Sequence, residues 1–221
     1  MRWLDPDLGP VSPADFIPVA EESGLIAPIG RWVLEQACRQ MVIWQQEGIT
    51  LDSISVNLSS KQFAEDDLFI QVKRILEHAG LEPARLTLEI TENALMQNKV
   101  NAKQELLKLR HMGVKLAIDD FGTGYSSLAY LKYFAVNSLK VDRSFIQDLP
   151  GDYNDAQITA AIISMAHSLN LQVIAEGVET AEQLLFVTEK GCHSFQGYFV
   201  SPAVTPKAFA SLVAQTNKMC V

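Results

Sequence analysis

The stretch LAIDDFGTGYSSLAYL, residues 116–131, joins an apolar, β-prone run to two adjacent aspartates and a glycine-rich turn. Neighbouring carboxylates repel, so Asp119 and Asp120 at the exit of a buried strand require positive charge nearby. The same design recurs on both sides. SISVNLS and LTLEIT precede it, and SLKVD, LQVIAE and CHSFQGY follow, each a short β-prone run. Each run carries its polar residue late: Asn57, Glu89, Asp119 with Asp120, Lys140 with Asp142, Glu176 and Gln196.

Helical patterns separate these runs. Leu68, Val72, Ile75 and Leu76 share one helical face, a second helix is expected from about Val100 to Met112, and a third buries Ile158, Ile162, Met165, Ala166 and Leu169. Thr180 and Gln183 form a capping box that opens another helix. Before the first run, Ser12-Pro13-Ala14-Asp15 reads as a helix start. A longer helix from about Pro28 to Gln46 presents Val33, Leu34, Ala37, Cys38, Met41 and Trp44 on one face and stops at Gly48. Strands alternating with helices imply a parallel sheet. In an open sheet the outer strands would hold their polar ends far apart, whereas a TIM (β/α) barrel gathers them at one mouth. The expectation is therefore an α/β barrel, residues 1–221 as a single domain, with two of eight strands missing from the count.

Composition agrees with a folded protein: 48% of residues are hydrophobic and 20% charged, with no low-complexity run. A formal charge of -8 argues against broad attraction to a nucleic-acid polymer or an anionic membrane, so an anionic substrate would need metal ions. Cys38, Cys192 and Cys220 form neither a paired framework nor a metal clip, which fits reduced thiols in the cytoplasm. No apolar run reaches membrane-spanning length, and the opening MRWLDPDLG lacks the features of a signal peptide.

At a barrel mouth Glu89, Asp119, Asp120 and Glu176 would supply anionic oxygen ligands, with Asn57 and Gln196 as neutral ones. Such hard ligands suit Mg2+ or Mn2+. A two-metal site activates water and neutralises a phosphoryl group, with Lys140 adding positive charge; the expected reaction is phosphodiester hydrolysis. Other signatures fail. DFG occurs without the remaining kinase motifs, and Gly122-Thr123-Gly124 lacks the third glycine of a dinucleotide fingerprint. Cys192 and His193, adjacent on a strand, point to opposite faces and read as structural.

SVNLS, LEITE, LAIDDFGTGYSSL, LKVDRSF, VIAEGVE and QGYFVS, with DFIPVAEESGLI near the start, are similar to the motifs of bacterial EAL domains. The resemblance implies a modified TIM barrel that hydrolyses cyclic di-GMP to linear pGpG with Mg2+ or Mn2+. It implies Asn57, Glu89, Asp119, Asp120 and Glu176 as metal ligands and Lys140 as an aid to the attacking water. Glu92 would anchor the loop from Phe121 to Ser127, and Thr91 would border the ligands. Arg2, Asp142, Gln196 and Glu179 would lie on the substrate side.

The family is named for E-A-L-x-R-W, and this sequence opens at Met1-Arg2-Trp3, in register with the x-R-W. The expectation is a truncated barrel lacking its first two strands and the motif glutamate, with open sheet edges that favour poor stability or pairing with another chain. Its alternative function is a catalytically inactive cyclic di-GMP-binding or protein-interaction module. The resemblance further implies a homodimer contact through Tyr125, Leu128, Tyr130, Leu131 and Tyr133, and upstream sensor or cyclase domains in a longer parent.

Overall fold

The computed structural model describes residues 1–63, 67–97, 99–124, 134 and 136–219. Its centre is a six-stranded sheet, β3 (Ile54–Leu58), β4 (Leu86–Thr91), β5 (Lys115–Phe121), β6 (Ser138–Val141), β7 (Gln172–Glu176) and β8 (Ser194–Gln196). All its strand pairs are parallel, and spatial order follows chain order. Glu89 on β4 and Glu176 on β7 both contact the Lys140 ammonium on β6. In a flat sheet roughly 14 Å would separate β4 from β7, at about 4.8 Å per strand. The sheet is therefore curled, as a barrel requires, and β3 and β8 are its edges among the described residues.

Apolar residues of the strands form the core of this curled sheet. Leu86, Leu88 and Ile90 on β4, Leu116 and Ile118 on β5, and Leu139 and Val141 on β6 are almost wholly buried. They meet helices packed around the outside. α2 (Ile26–Gln46) buries Leu34, Cys38, Met41 and Trp44 on the expected face, and Gly48 follows with φ +78°. Helix α4 (Leu68–Ala79) buries Leu68, Val72, Ile75 and Leu76. Its start is held from α6 (Lys99–Met112), where Glu105 Oε2 accepts a hydrogen bond from Phe69 N at 3.0 Å. The capping box at Thr180 and Gln183 opens α8 (Ala181–Glu189) as expected.

The buried stripe of α7 (Tyr153–Ser168) departs from expectation. Ile158 is exposed, while Thr159, Ile162, Ile163 and Ala166 are buried. Thr159 Oγ1 donates to Phe145 O at 3.0 Å, which turns the stripe one position further along the chain. A hydroxyl with a buried carbonyl partner has replaced the more apolar residue beside it.

An N-terminal hairpin and a final helix are not among the elements expected from the sequence. β1 (Trp3–Asp5) and β2 (Gly9–Val11) form an antiparallel hairpin. Asp5 Oδ1 accepts from Asp7 N and Leu8 N, and Gly9, with φ +74°, completes the turn. Trp3 meets Phe16 of α1 (Pro13–Glu22) edge to face, with ring centroids 5.8 Å apart. The final helix, α9 (Pro206–Met219), returns to α2 through Phe209, whose ring centroid lies 4.8 Å from that of Trp44.

Leu139 is fully buried beside Lys140 in the middle of the sheet. Leu139→Ala is expected to cost about 2–5 kcal/mol in urea unfolding. A loss below about 1 kcal/mol would show that β6 is not the packing centre described.

Candidate active site

The C-terminal ends of the strands place their polar residues around one cation. Lys140 is only 3% exposed, and its Nζ lies 2.6 Å from Glu89 Oε2, 2.9 Å from Asp119 Oδ1 and 2.6 Å from Glu176 Oε1. Burial alone would lower its pKa, but the three carboxylates outweigh that and hold it above the ordinary lysine value. Asn57 joins from β3: with its amide oriented to fit its neighbours, nitrogen donates to Asp119 Oδ2 at 2.9 Å and Glu89 Oε2 at 3.3 Å. Five successive strands thus contribute to one polar cluster.

Adjacent strand residues normally face opposite ways, which would leave only one of Asp119 and Asp120 in the mouth. The β5–β6 register breaks between Ile118 and Phe121, and Asp120 adopts φ +53°. This irregularity re-aims the side chain, as bulges beside functional sites do. Aspartate tolerates the left-handed region better than most residues. As a result Asp119, Asp120 and Glu176 bring ligand oxygens within 4.8 Å of one another. The two aspartates are consecutive because the backbone folds between them.

The electrostatic balance is incomplete without further cations. Glu89, Asp119 and Glu176 share the single ammonium of Lys140, and Asp120 adds a fourth carboxylate beside Asp119 and Glu176. Burial, then the charges of Asp119 and Asp142, raises the Asp120 pKa. Burial also raises Glu176 to about 7, against the pull of Lys140. Closely spaced carboxylates of this kind fit a hard divalent ion, whose charge would favour their ionised forms.

The other sequence-designated residues lie around this centre in different ways. Glu92, the first residue of α5 (Glu92–Gln97), is 2% exposed, and its Oε2 accepts from Gly122 N at 3.3 Å. The other oxygen, Oε1, is buried without a partner among the described residues. Thr91 Oγ1 accepts from Ala94 N and so caps the same helix. Asp142 accepts from Ser144 N and Oγ at the start of a short turn, Arg143–Phe145. Gln196 is exposed beside Glu176 in the β7–β8 register. Glu179 pairs with Arg143 at 3.1 Å. Arg143 had not been singled out, because nothing in the spacing of LKVDRSF marks it as different from any surface arginine.

Arg2 makes its described hydrogen bond within the N-terminal segment. Its Nη1 donates to Met1 O, and the residue borders an apolar cavity of about 740 Å³ lined by Trp3, Leu4, Phe16 and Trp32. The proposed dimer residues Tyr125, Leu128, Tyr130, Leu131 and Tyr133 lie outside the described residues. At the opposite end of β8, Cys192 Sγ donates to backbone carbonyls and His193 Nδ1 accepts from Val173 N. Neither lies on a strand, since β8 begins at Ser194, contrary to the expectation; each satisfies backbone groups instead.

The EAL domain family model matches residues 1–203. This chain belongs to the EAL family. The EAL domain is 44% identical over 214 residues to the bifunctional diguanylate cyclase/cyclic di-GMP phosphodiesterase MucR of Pseudomonas aeruginosa, covering 97% of this chain and 31% of that protein. It is also 44% identical over 215 residues to the signaling protein YkoW of Bacillus subtilis, covering 97% of this chain and 27% of YkoW. The chain therefore spans less than a third of these curated relatives. Among solved structures, the MucR phosphodiesterase in complex with c-di-GMP superposes with a TM-score of 0.91 at 45% identity, covering 94% of this chain and 84% of that one. In this EAL domain no helix of the described residues is long and apolar enough to cross a membrane.

The protonation of Glu176 gives a testable pH dependence. Its folded pKa of about 7 exceeds the ordinary glutamate value of 4.5, so the metal-free fold retains the proton more strongly than the unfolded chain. This group's contribution to stability should decline as pH rises through that window, and added Mn2+ should offset the loss above it. Mn2+ affinity, measured by calorimetry, should tighten as pH rises through about 7 and the carboxyl loses its proton. Flat affinity from pH 6 to 8 would contradict the assignment of Glu176 as an ion-linked group.

Proposed function

We propose that this EAL domain hydrolyses one phosphodiester of cyclic di-GMP to give linear pGpG, using two divalent ions, Mg2+ or Mn2+. The observation that carries the reading is the convergence of Glu89, Asp119 and Glu176 on Lys140, with Asp120 turned into the same mouth. Asn57, Glu89, Asp119, Asp120 and Glu176 would hold the ions. The ions would supply an activated water and neutralise charge developing on the phosphoryl oxygens.

The residues of the chain divide the remaining work. Lys140 stays protonated because its acids hold it so, and from beneath them it would lend fixed positive charge to the attacking water. Bound cations would favour the ionised forms of Glu176 and Asp120, against the burial that raises both pKa values. Asn57 orients Asp119 and Glu89 through its amide nitrogen. Glu92 holds Gly122 and with it the chain leaving Asp120. Arg2, Asp142, Gln196 and Glu179 complete the proposed substrate side. The reaction would take place in the cytoplasm, within a longer signalling protein carrying sensor or cyclase domains; the relatives' greater length supports only that the protein is longer. A homodimer contact would fall to residues 125–133.

A second reading is a binding or interaction module without turnover. It is favoured by the same ammonium, which already compensates part of the acidic charge without an ion. Turnover separates the two. The hydrolase reading predicts pGpG in Mg2+ or Mn2+, none in chelator, and a loss of at least about tenfold to 100-fold in metal affinity or activity for Asp119→Asn. Tight binding of cyclic di-GMP with no product in either metal would establish the second reading.

A further inference from the structure

We infer that Arg143 is a binding residue for a phosphate of the dinucleotide, an assignment that rests on the cyclic di-GMP reading above. Arg143 leaves the end of β6 directly after Asp142 and crosses the exit of β7. A Cβ added to Gly177 would stand 2.4 Å from Arg143 Cγ and 2.8 Å from its Cβ. Glycine at 177, with φ +71°, therefore leaves the space in which the arginine stem lies, one residue beyond Glu176. The stem rests on a fixed rim. Val178 N donates to Gln196 O at 3.1 Å and Phe199 N donates to Val178 O at 3.0 Å. Gly197 permits this approach, since a Cβ there would be 2.0 Å from Val178 O.

The guanidinium is displayed at this rim. Its side chain is 60% exposed, and Nη2 lies 3.1 Å from Glu179 Oε1. Its remaining N–H donors have no hydrogen-bond partner among the described residues. A single exposed ion pair contributes little to stability, so its geometric provision points to another use. Asp142 and Glu179 add negative charge beyond the carboxylates proposed to hold the ions, and would repel an incoming dianion. Lys140 is sealed beneath its acids, whereas Arg143 is reachable from solvent. A guanidinium matches phosphate oxygens with paired donors, and Glu179 holds one edge while leaving the other free.

Calorimetric titration of cyclic di-GMP in Mg2+, with each sample analysed for product and thermal stability, tests this role. Arg143→Ala should weaken binding about tenfold or more with an unchanged melting temperature, consistent with losing a charge-assisted hydrogen bond. Arg143→Lys should recover part of the affinity, and the parent should lose more affinity than Arg143→Ala as salt is raised. Unaltered binding by Arg143→Ala, or a loss seen only alongside lower thermal stability, would overturn the inference. If the parent binds cyclic di-GMP and Arg143→Ala binds equally well, the hydrolase reading survives without this residue. If the parent does not bind the dinucleotide, both fail together.

Discussion

The ammonium of Lys140, held at 2.6–2.9 Å by acids from β4, β5 and β7, is the constraint on which the mouth depends. Buried charge is tolerated only when it is paired and hydrogen-bonded. Here that requirement reaches across the sheet: the acids can meet one nitrogen only if the strands curl. Truncating the lysine would leave several uncompensated carboxylates, a larger penalty than the loss of one contact. The same cation organises the site electrically, because it accounts for part of the acidic charge and leaves the rest available to hard cations.

The aspartate pair shows how a local backbone irregularity becomes chemistry. Regular pleating would divide Asp119 from Asp120; the register break and the left-handed Asp120 reunite them. Glu92 supports the chain immediately beyond through Gly122. Gly122 has its own reason to lack a side chain, since an added Cβ would stand 2.7 Å from Phe145 Cε2. Strand, bulge and packed turn thus fix the carboxylates before any ligand arrives, which limits the reorganisation needed at the site.

Much of this was legible in the sequence because two signals coincide. The apolar runs alternate with helical faces, and the polar residues occur late in those runs. Their coincidence identified the mouth, the six strands and the residues Asn57, Glu89, Asp119, Lys140 and Glu176 that the structure brings together. The reading failed where tertiary contacts decide. Thr159 replaces Ile158 in the buried stripe because a carbonyl of Phe145 awaits its hydroxyl, a partner that periodicity cannot see. The Trp3–Val11 hairpin was missed because its strands are only three residues each, although Asp-Pro and Gly9 marked the turn. Arg143 carries no signal of its own; its position follows from Gly177, far along the chain.

Anomalous scattering from crystals grown with Mn2+ and cyclic di-GMP would test the central claim most directly. The account predicts manganese peaks at about 2.0–2.2 Å from oxygens of Asp119, Asp120 and Glu176, close to a phosphate of the bound dinucleotide. Dinucleotide bound in this mouth with no manganese among those carboxylates, or manganese bound only elsewhere, would contradict it.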